Sequence, residues 1–367
     1  MTNTPDITII GGGVIGLLTA REFYHAGATV TVIEKNDLGQ ESSWAGGGIL
    51  LPIYPWRQAD AITKLTVQSL RLYPTLAAEL LADTQKDPEW TPCGLLITQN
   101  PDLEQAIQWC QTNQVPFETT LPDFFNSLNS APHQPLWLPT IAQARNPRLV
   151  KSLIQDLVNK GVTLKEHCTV TGVTRSQDRI THVITDTETL PVNHLILSAG
   201  AWTGSLFKEL FPELSAQAPQ VSPVKGQMLL FDATPETLPS MVLEGDQYLI
   251  PRRDGKILAG STVEHDGFNK NTTQAAKERL TDFAVNLLPA LKKAPLLHHW
   301  AGLRPGTQHG VPYIDQHSDI SNLSINAGHF RNGLIMGPAS AQLMVDLILK
   351  RPTAVSPEPY QLQNLSH

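Results

Sequence analysis

The sequence predicts a two-lobed α/β protein on three observations: an apolar run that opens through glycines into a helix, a second strand-loop-helix near the C-terminus, and a block of β-type residues between them. A chain of 367 residues exceeds what one hydrophobic core comfortably fills, which also favours two connected lobes.

Residues 7–10 are apolar and run straight into Gly11-Gly12-Gly13-Val14-Ile15-Gly16. Residues 17–25 have helical character closed by Gly27, and residues 28–34, rich in Val, Thr and Ile, make the second strand of a βαβ unit. The turn fits GxGxxG. Gly11 permits the tight turn, Gly13 lets backbone approach a pyrophosphate, and Gly16 lets the helix pack on the sheet, with the helix N-terminus facing negative charge. Glu34 ends the second strand, where a carboxylate accepts from a ribose diol and repels a 2′-phosphate. The unit predicts a Rossmann-type, doubly wound domain but does not separate NAD from FAD.

Residues 114–147 are proline-rich and read as connecting structure at a lobe boundary. From 147 to 160, Leu149, Val150, Leu153, Ile154, Leu157 and Val158 recur at helical spacing, and Gly161 ends the helix. Strands around 162–173 and 194–198 are expected to extend the first sheet, with a hairpin turning at Gln177 and Asp178 between them. Residues 226–232 and 247–262, interrupted by Arg253-Asp254-Gly255, predict a second, antiparallel sheet. At the C-terminal end, 323–327 is a strand, 328–333 a loop and 338–349 a helix, with Pro338 in its first turn and an apolar face of Leu343, Met344, Leu347 and Ile348. Such a glycine-framed loop can lay backbone amides against a flavin; an ordinary strand-to-helix connection is the alternative.

A formal charge of −7 without a block of Lys or Arg speaks against a nucleic-acid groove or a polybasic membrane patch. No apolar run is long enough to span a bilayer, and residues 1–6 show no export signal, so a cytoplasmic protein without an integral membrane segment is expected. Cys93, Cys110 and Cys168 fit neither a disulfide framework nor zinc spacing, and the twelve histidines include no HExxH, so no metal is expected.

Longer motifs carry a resemblance. They are GGGVIG with Glu34, residues 41–49 (ESSWAGGGI), 223–226 (PVKG), 248–252 (YLIPR), 300–307 (WAGLRPGT), 312–314 (PYI) and 328–333 (GHFRNG). Over nearly the whole chain the sequence resembles the glycine oxidase branch of the D-amino-acid oxidase family of flavoproteins. The resemblance implies a two-domain, glutathione-reductase-like FAD-binding fold, with residues 1–85, 141–222 and 300–367 binding FAD and 86–140 and 223–299 forming an antiparallel-sheet substrate domain. It implies FAD contacts from Gly11, Gly13, Val14, Ile15, Gly16, Glu34, Lys35, Ser42, Ser43, Gly47, Gly48, Ile49 and Val170, and from His329, Phe330, Arg331, Asn332, Gly333, Leu334 and Ile335. Arg304 would clamp a substrate carboxylate, Tyr248 would bond the same group, and Arg331 would sit where flavin meets substrate. No cysteine lies near Arg304, so FAD is expected to be held non-covalently.

The implied reaction is oxidative deamination of glycine, sarcosine or small D-amino acids, with molecular oxygen as acceptor and a place in thiamine thiazole formation. A D-amino-acid dehydrogenase passing electrons to a quinone or another carrier is the alternative. The number of subunits is open, a homo-oligomer included. The aromatic stretch 50–57 is expected to line or cover the pocket and so to set substrate size.

Overall fold

The computed structural model describes residues 6–365; residues 1–5, on which most of the export reading rests, lie outside them. The first lobe is built on a six-stranded sheet ordered Tyr313–Gln316, Leu323–Ala327, Leu195–Leu197, Ile7–Ile10, Val30–Ile33, Thr163–Lys165. All its pairings are parallel except that of Tyr313–Gln316 with Leu323–Ala327. Ile7–Ile10 is buried at all four positions, as a central parallel strand covered on both faces must be. The chain leaves this strand to one side through Val30–Ile33 and returns on the other as Leu195–Leu197, so a crevice opens at the carboxyl ends of the strands.

The second sheet has seven strands, ordered Leu296–Gly306, Ser222–Phe231, Ile257–Gly260, Gln247–Pro251, Met241–Glu244, Leu95–Ile97, Leu136–Leu138. Its pairings are antiparallel except for Met241–Glu244 with Leu95–Ile97. The turn expected at Arg253-Asp254-Gly255 joins two of these strands, with Gly255 at φ +87°. Leu296–Gly306 runs across position 300, where a lobe boundary was expected, and therefore belongs to the second sheet for its whole length.

Three expectations need correction. Only Thr163–Lys165 of the 162–173 region joins the first sheet; Val170–Ser176 pairs instead with Arg179–Thr185 in a separate three-stranded sheet. The proline-rich stretch 114–147 contains the strand Leu136–Leu138, which the second sheet recruits at its edge. The last helix begins at Gly333, five residues before Pro338, and Pro338 sits inside it.

An interior proline removes one N–H and leaves the carbonyl four residues earlier without its helical donor. That carbonyl belongs to Leu334, and the Tyr73 hydroxyl, from the helix Asp60–Thr84, donates to it at 2.5 Å. The same helix places the Ser69 hydroxyl to accept from the Ala339 N–H at 3.1 Å. A partner helix thus repairs the broken ladder and fixes the first turn of Gly333–Ile348. Tyr73→Phe removes the donor to the half-buried Leu334 carbonyl, and should destabilise the fold by about 1 kcal/mol in urea unfolding; an unchanged midpoint would show that the hydroxyl is not needed.

Candidate active site

Three loops at the carboxyl ends of parallel strands converge on one cavity of about 500 Å³: residues 11–15, 198–200 and 328–334. Gly11 takes φ +113°, and a Cβ there would lie 2.3 Å from the Ser198 carbonyl oxygen, so only glycine lets the first two loops meet. A Cβ on Gly16 would lie 1.9 Å from the Gly11 carbonyl oxygen, which ties the helix Val14–His25 closely to the turn. Glu34 accepts from the Gly12 N–H at 2.8 Å and the Asn36 N–H at 2.9 Å, and keeps lone pairs for further donors. At the helix mouth the Val14 N–H donates to the Ser43 hydroxyl at 2.8 Å.

The cavity lining includes every expected cofactor residue except Gly16 and Ile335; Gly16 packs helix on turn, and Ile335 is buried behind the wall. Several lining atoms are buried donors or acceptors with no partner among the described residues: Asn146 Oδ1, Ser198 Oγ, Asn326 Oδ1, His329 Nδ1 and Arg331 Nε. Buried polar groups are ordinarily satisfied, so this concentration marks the surface of a polar ligand. The N-termini of Val14–His25 and Gly333–Ile348 both open on the cavity, offering unpaired N–H groups to negative or carbonyl oxygens. The residues present therefore fit an elongated dinucleotide.

At His329, the Ser340 hydroxyl donates to the Met336 carbonyl at 2.9 Å and accepts from Nε2 at 3.0 Å, which leaves Nδ1 as a bare acceptor. Burial pushes this imidazole down to about 3, so it is neutral at ordinary pH.

The opposite end is built by the second sheet. Met228 pairs with Trp300 on one side and Gly260 on the other, and Gly260 pairs with Tyr248, so the row shares one face. Arg304 lies four residues beyond Trp300 and projects to that same face. Its guanidinium lies over Gly226, where a Cβ would come within 2.1 Å of it. Nη1 donates to the Lys225 carbonyl at 3.3 Å and the Thr262 carbonyl at 3.1 Å, and Nη2 to the Ser261 hydroxyl at 2.8 Å. No carboxylate pairs with it among the described residues. Burial, helped by Arg331, lowers its proton affinity against the opposing pull of Tyr248. The Tyr248 hydroxyl donates to a weak acceptor, Met228 Sδ, at 3.5 Å, while its oxygen interacts with the Arg304 guanidinium.

Arg252 belongs to the YLIPR motif but was given no role by the sequence. Buried, it donates to the Gly47 carbonyl at 2.7 Å and to Gln143, and so holds the cofactor loop against the second sheet; burial, then Arg145, lowers it to about 10. Asn146, Ser198, Asn326 and Ser261 were also missed. Of the aromatic stretch, Leu51 and Ile53 line the cavity, whereas Tyr54 is buried with its hydroxyl on the Gly245 carbonyl at 2.9 Å.

A nucleotide cradle at a parallel-sheet crevice, facing a cation without a counter-ion on an antiparallel sheet, defines an oxidoreductase of the dinucleotide-cofactor class. The chain belongs to the FAD dependent oxidoreductase family, whose sequence profile matches residues 6–347, and its cofactor is FAD. It is 43% identical over 362 residues to the glycine oxidase of Pseudomonas putida, with 97% of each chain covered. It is 32% identical over 359 residues to the bifunctional protein ThiO/ThiG of Trichormus variabilis, covering 95% of this chain and 53% of that one. The crystal structure of glycine oxidase from Geobacillus kaustophilus matches with a TM-score of 0.90 at 25% identity, over 98% of this chain and 99% of that one. Among the described residues no helix is long and apolar enough to cross a membrane, and no group of three or more His, Cys, Asp or Glu could hold a metal.

Two measurements test the cradle. Gly16→Ala should destabilise the fold by about 1–3 kcal/mol, the usual range for overpacking, and by displacing the Gly11 turn should purify with less flavin absorbance per mole of protein. The folded His329 titrates near 3 and the unfolded one near ~6.5, so its stabilising contribution is complete above about pH 6.5 and is lost as pH falls toward 3. Between pH 7 and 5 the parent should therefore lose about 2 kcal/mol more stability than His329→Asn, read from urea unfolding at each pH.

Proposed function

We propose that this chain oxidatively deaminates glycine, with sarcosine and small D-amino acids as further substrates, to the 2-oxo acid, the amine and hydrogen peroxide. The observation that carries this reading is Arg304: a guanidinium that faces the cavity, is held by neutral acceptors and has no carboxylate partner among the described residues. A substrate carboxylate completes it, in the two-pronged geometry that guanidinium favours.

FAD is held, in this reading, by Gly11, Gly13, Val14, Ile15, Glu34, Lys35, Ser42, Ser43, Gly47, Gly48, Ile49, Val170 and residues 329–334, with Gly16 and Ile335 supporting from behind. When bound, FAD supplies the two-electron acceptor. Of the cysteines, only Cys168 lines the cavity, beside Thr169 and Val170, so non-covalent binding is proposed. The protein's own contribution is position. Arg304 fixes the substrate by its carboxylate, and Tyr248, weakly engaged by Met228, is free to donate to the same group.

Leu51, Ile53 and Met228 make the nearby wall apolar, which excludes water and favours the neutral amine. The carboxylates lining the cavity among the described residues are Glu34, Asp37, Glu41 and Glu209, none of them on the second sheet that carries Arg304 and Tyr248, so no side chain is assigned as base at the α-carbon. The α-hydrogen departs with its electron pair, the nitrogen lone pair closes the C=N bond, and water hydrolyses the imine to glyoxylate and ammonia. Oxygen accepts the two electrons overall. Arg331, with its Nε unpaired, is assigned to the junction of cofactor and substrate.

The division into a cofactor part (1–85, 141–222, 300–367) and a substrate part (86–140, 223–299) is proposed with Leu296–Gly306 spanning the last boundary. Kinship with the ThiO/ThiG proteins supports a place in thiamine thiazole formation, with which a cytoplasmic location is proposed.

The test is anaerobic mixing of the yellow protein with glycine, sarcosine and D-alanine, followed by air. Bleaching by glycine and peroxide on reoxidation are expected; bleaching without prompt reoxidation would indicate a dehydrogenase, and no bleaching by any of them would refute the substrate class. Arg304→Ala should keep FAD and lose about 3–5 kcal/mol of glycine affinity in the same titration, as when one partner of a buried ion pair is removed.

A further inference from the structure

Between the strand Ile257–Gly260 and the helix Gln274–Leu287, the chain leaves the second sheet and crosses to the first lobe. Residues 263–273 form neither helix nor extended strand, and most are exposed. Both ends are tethered to Ser222–Phe231. At the start, the Lys225 N–H donates to the Glu264 carbonyl at 2.9 Å and the Glu264 N–H returns the bond at 2.9 Å. At the end, the Thr273 N–H donates to Gln227 Oε1 at 2.9 Å. The Lys225 ammonium, 1% exposed, lies 3.1 Å from Glu264 and 3.0 Å from Asp266, and so anchors the segment from beneath.

From that base the segment makes two contacts with the other lobe. Lys270 Nζ pairs with Glu41 Oε1 at 2.7 Å, and the Phe268 ring stacks on Trp202 with centroids 5.4 Å apart. Glu41, Trp202 and Lys270 all line the cofactor cavity. Glu41 directly precedes Ser42 and Ser43, whose hydroxyl meets the Val14 N–H at the helix mouth, so this is the side where a diphosphate is expected. There an uncompensated Glu41 carboxylate would repel the ligand, and Lys270 neutralises it. Phe268 remains 46% exposed beyond its stack on Trp202.

We propose that residues 263–273 are a clasp, supplied by the antiparallel-sheet lobe, that closes the open side of the cofactor cavity and slows FAD release. The proposal rests on the FAD reading above. Because the clasp grips by an exposed ion pair and an aromatic stack, its two contacts respond differently to salt: the first is screened and the second is not.

The experiment follows the rise of free-flavin fluorescence after dilution of the FAD-loaded protein. Lys270→Ala should release FAD about threefold faster and Phe268→Ala about fivefold, within the ranges usual for an exposed ion pair and an aromatic pair. The Lys270→Ala difference should shrink in 1 M salt, at roughly a 3 Å screening length, while the Phe268→Ala difference persists. Lys270→Glu should release fastest of the single variants, and combining it with Glu41→Lys should restore slow release. Lys292→Ala, an exposed lysine away from the cavity, serves as the control. Unchanged release from the doubly substituted Phe268→Ala, Lys270→Ala protein, with FAD bound at the outset, would overturn the clasp. A parent protein that carries no flavin would overturn the FAD reading instead.

Discussion

The site depends on a cation that the protein declines to neutralise. Arg304 is drawn out of bulk water and given three neutral acceptors but no carboxylate. A guanidinium in such surroundings retains a deficit of negative charge that hydrogen-bonded dipoles only partly offset. Arg331 deepens the deficit, and Tyr248 works against it. Glu264 is near enough to influence the group, yet it is committed to Lys225 and to the Gln227 amide at 2.8 Å. The guanidinium thus faces the cavity with no side-chain carboxylate paired to it among the described residues, and the flat floor of Gly226 lets it lie against the sheet.

The opposite end follows the same logic with partial rather than full positive charge. Two helix N-termini bring positive partial charge to the cavity, and unpaired acceptors and donors on Asn146, Ser198, Asn326, His329 and Arg331 surround it. The Ser43 hydroxyl serves the Val14 N–H, a contact that an anionic oxygen can replace without leaving either group buried and bare. Each end is incomplete alone. A parallel sheet suits the dinucleotide because its loops collect at one edge; an antiparallel sheet suits the carboxylate because its alternation holds Arg304, Met228 and Tyr248 on one face.

What could be read from the sequence was what local chemistry determines. The βαβ turn was legible because Gly11 takes φ +113° and Gly16 packs on the Gly11 carbonyl within one short segment, and the Arg253-Asp254-Gly255 turn because it closes a hairpin. The start of the last helix was not, since Pro338 reads as a helix opening until Tyr73 and Ser69, far away in sequence, supply the missing bonds. Leu136–Leu138 looked like connecting chain because three residues among prolines form a strand only when Leu95–Ile97 offers an edge. Asn146, Ser198, Asn326 and Ser261 carry no signature beyond being polar; only their burial beside the cavity or Arg304 distinguishes them. The motif residues of the site were legible through family resemblance, and the geometry adds that Tyr54, despite its aromatic neighbourhood, turns away from the cavity to the Gly245 carbonyl.

Positioning a small molecule for transfer of a hydrogen with its electron pair requires the carboxylate clamp and the cofactor loop to keep a fixed separation, since a displacement of about 1 Å can cost two orders of magnitude in rate. These parts come from different sheets, and the strand Leu296–Gly306 makes them one body. Its Trp300 indole N–H donates to the Ala45 carbonyl at 3.1 Å, and Gly302 sits so close to Ala45 that a Cβ would lie 2.5 Å from that side chain. Arg252 adds a third tie, to the Gly47 carbonyl at 2.7 Å. The segment 42–48 is therefore gripped by the same sheet that carries Arg304 and Tyr248. That grip fixes Arg304 relative to the segment 42–48: on a loop beyond the sheet, its distance from that segment would have been left to side-chain flexibility.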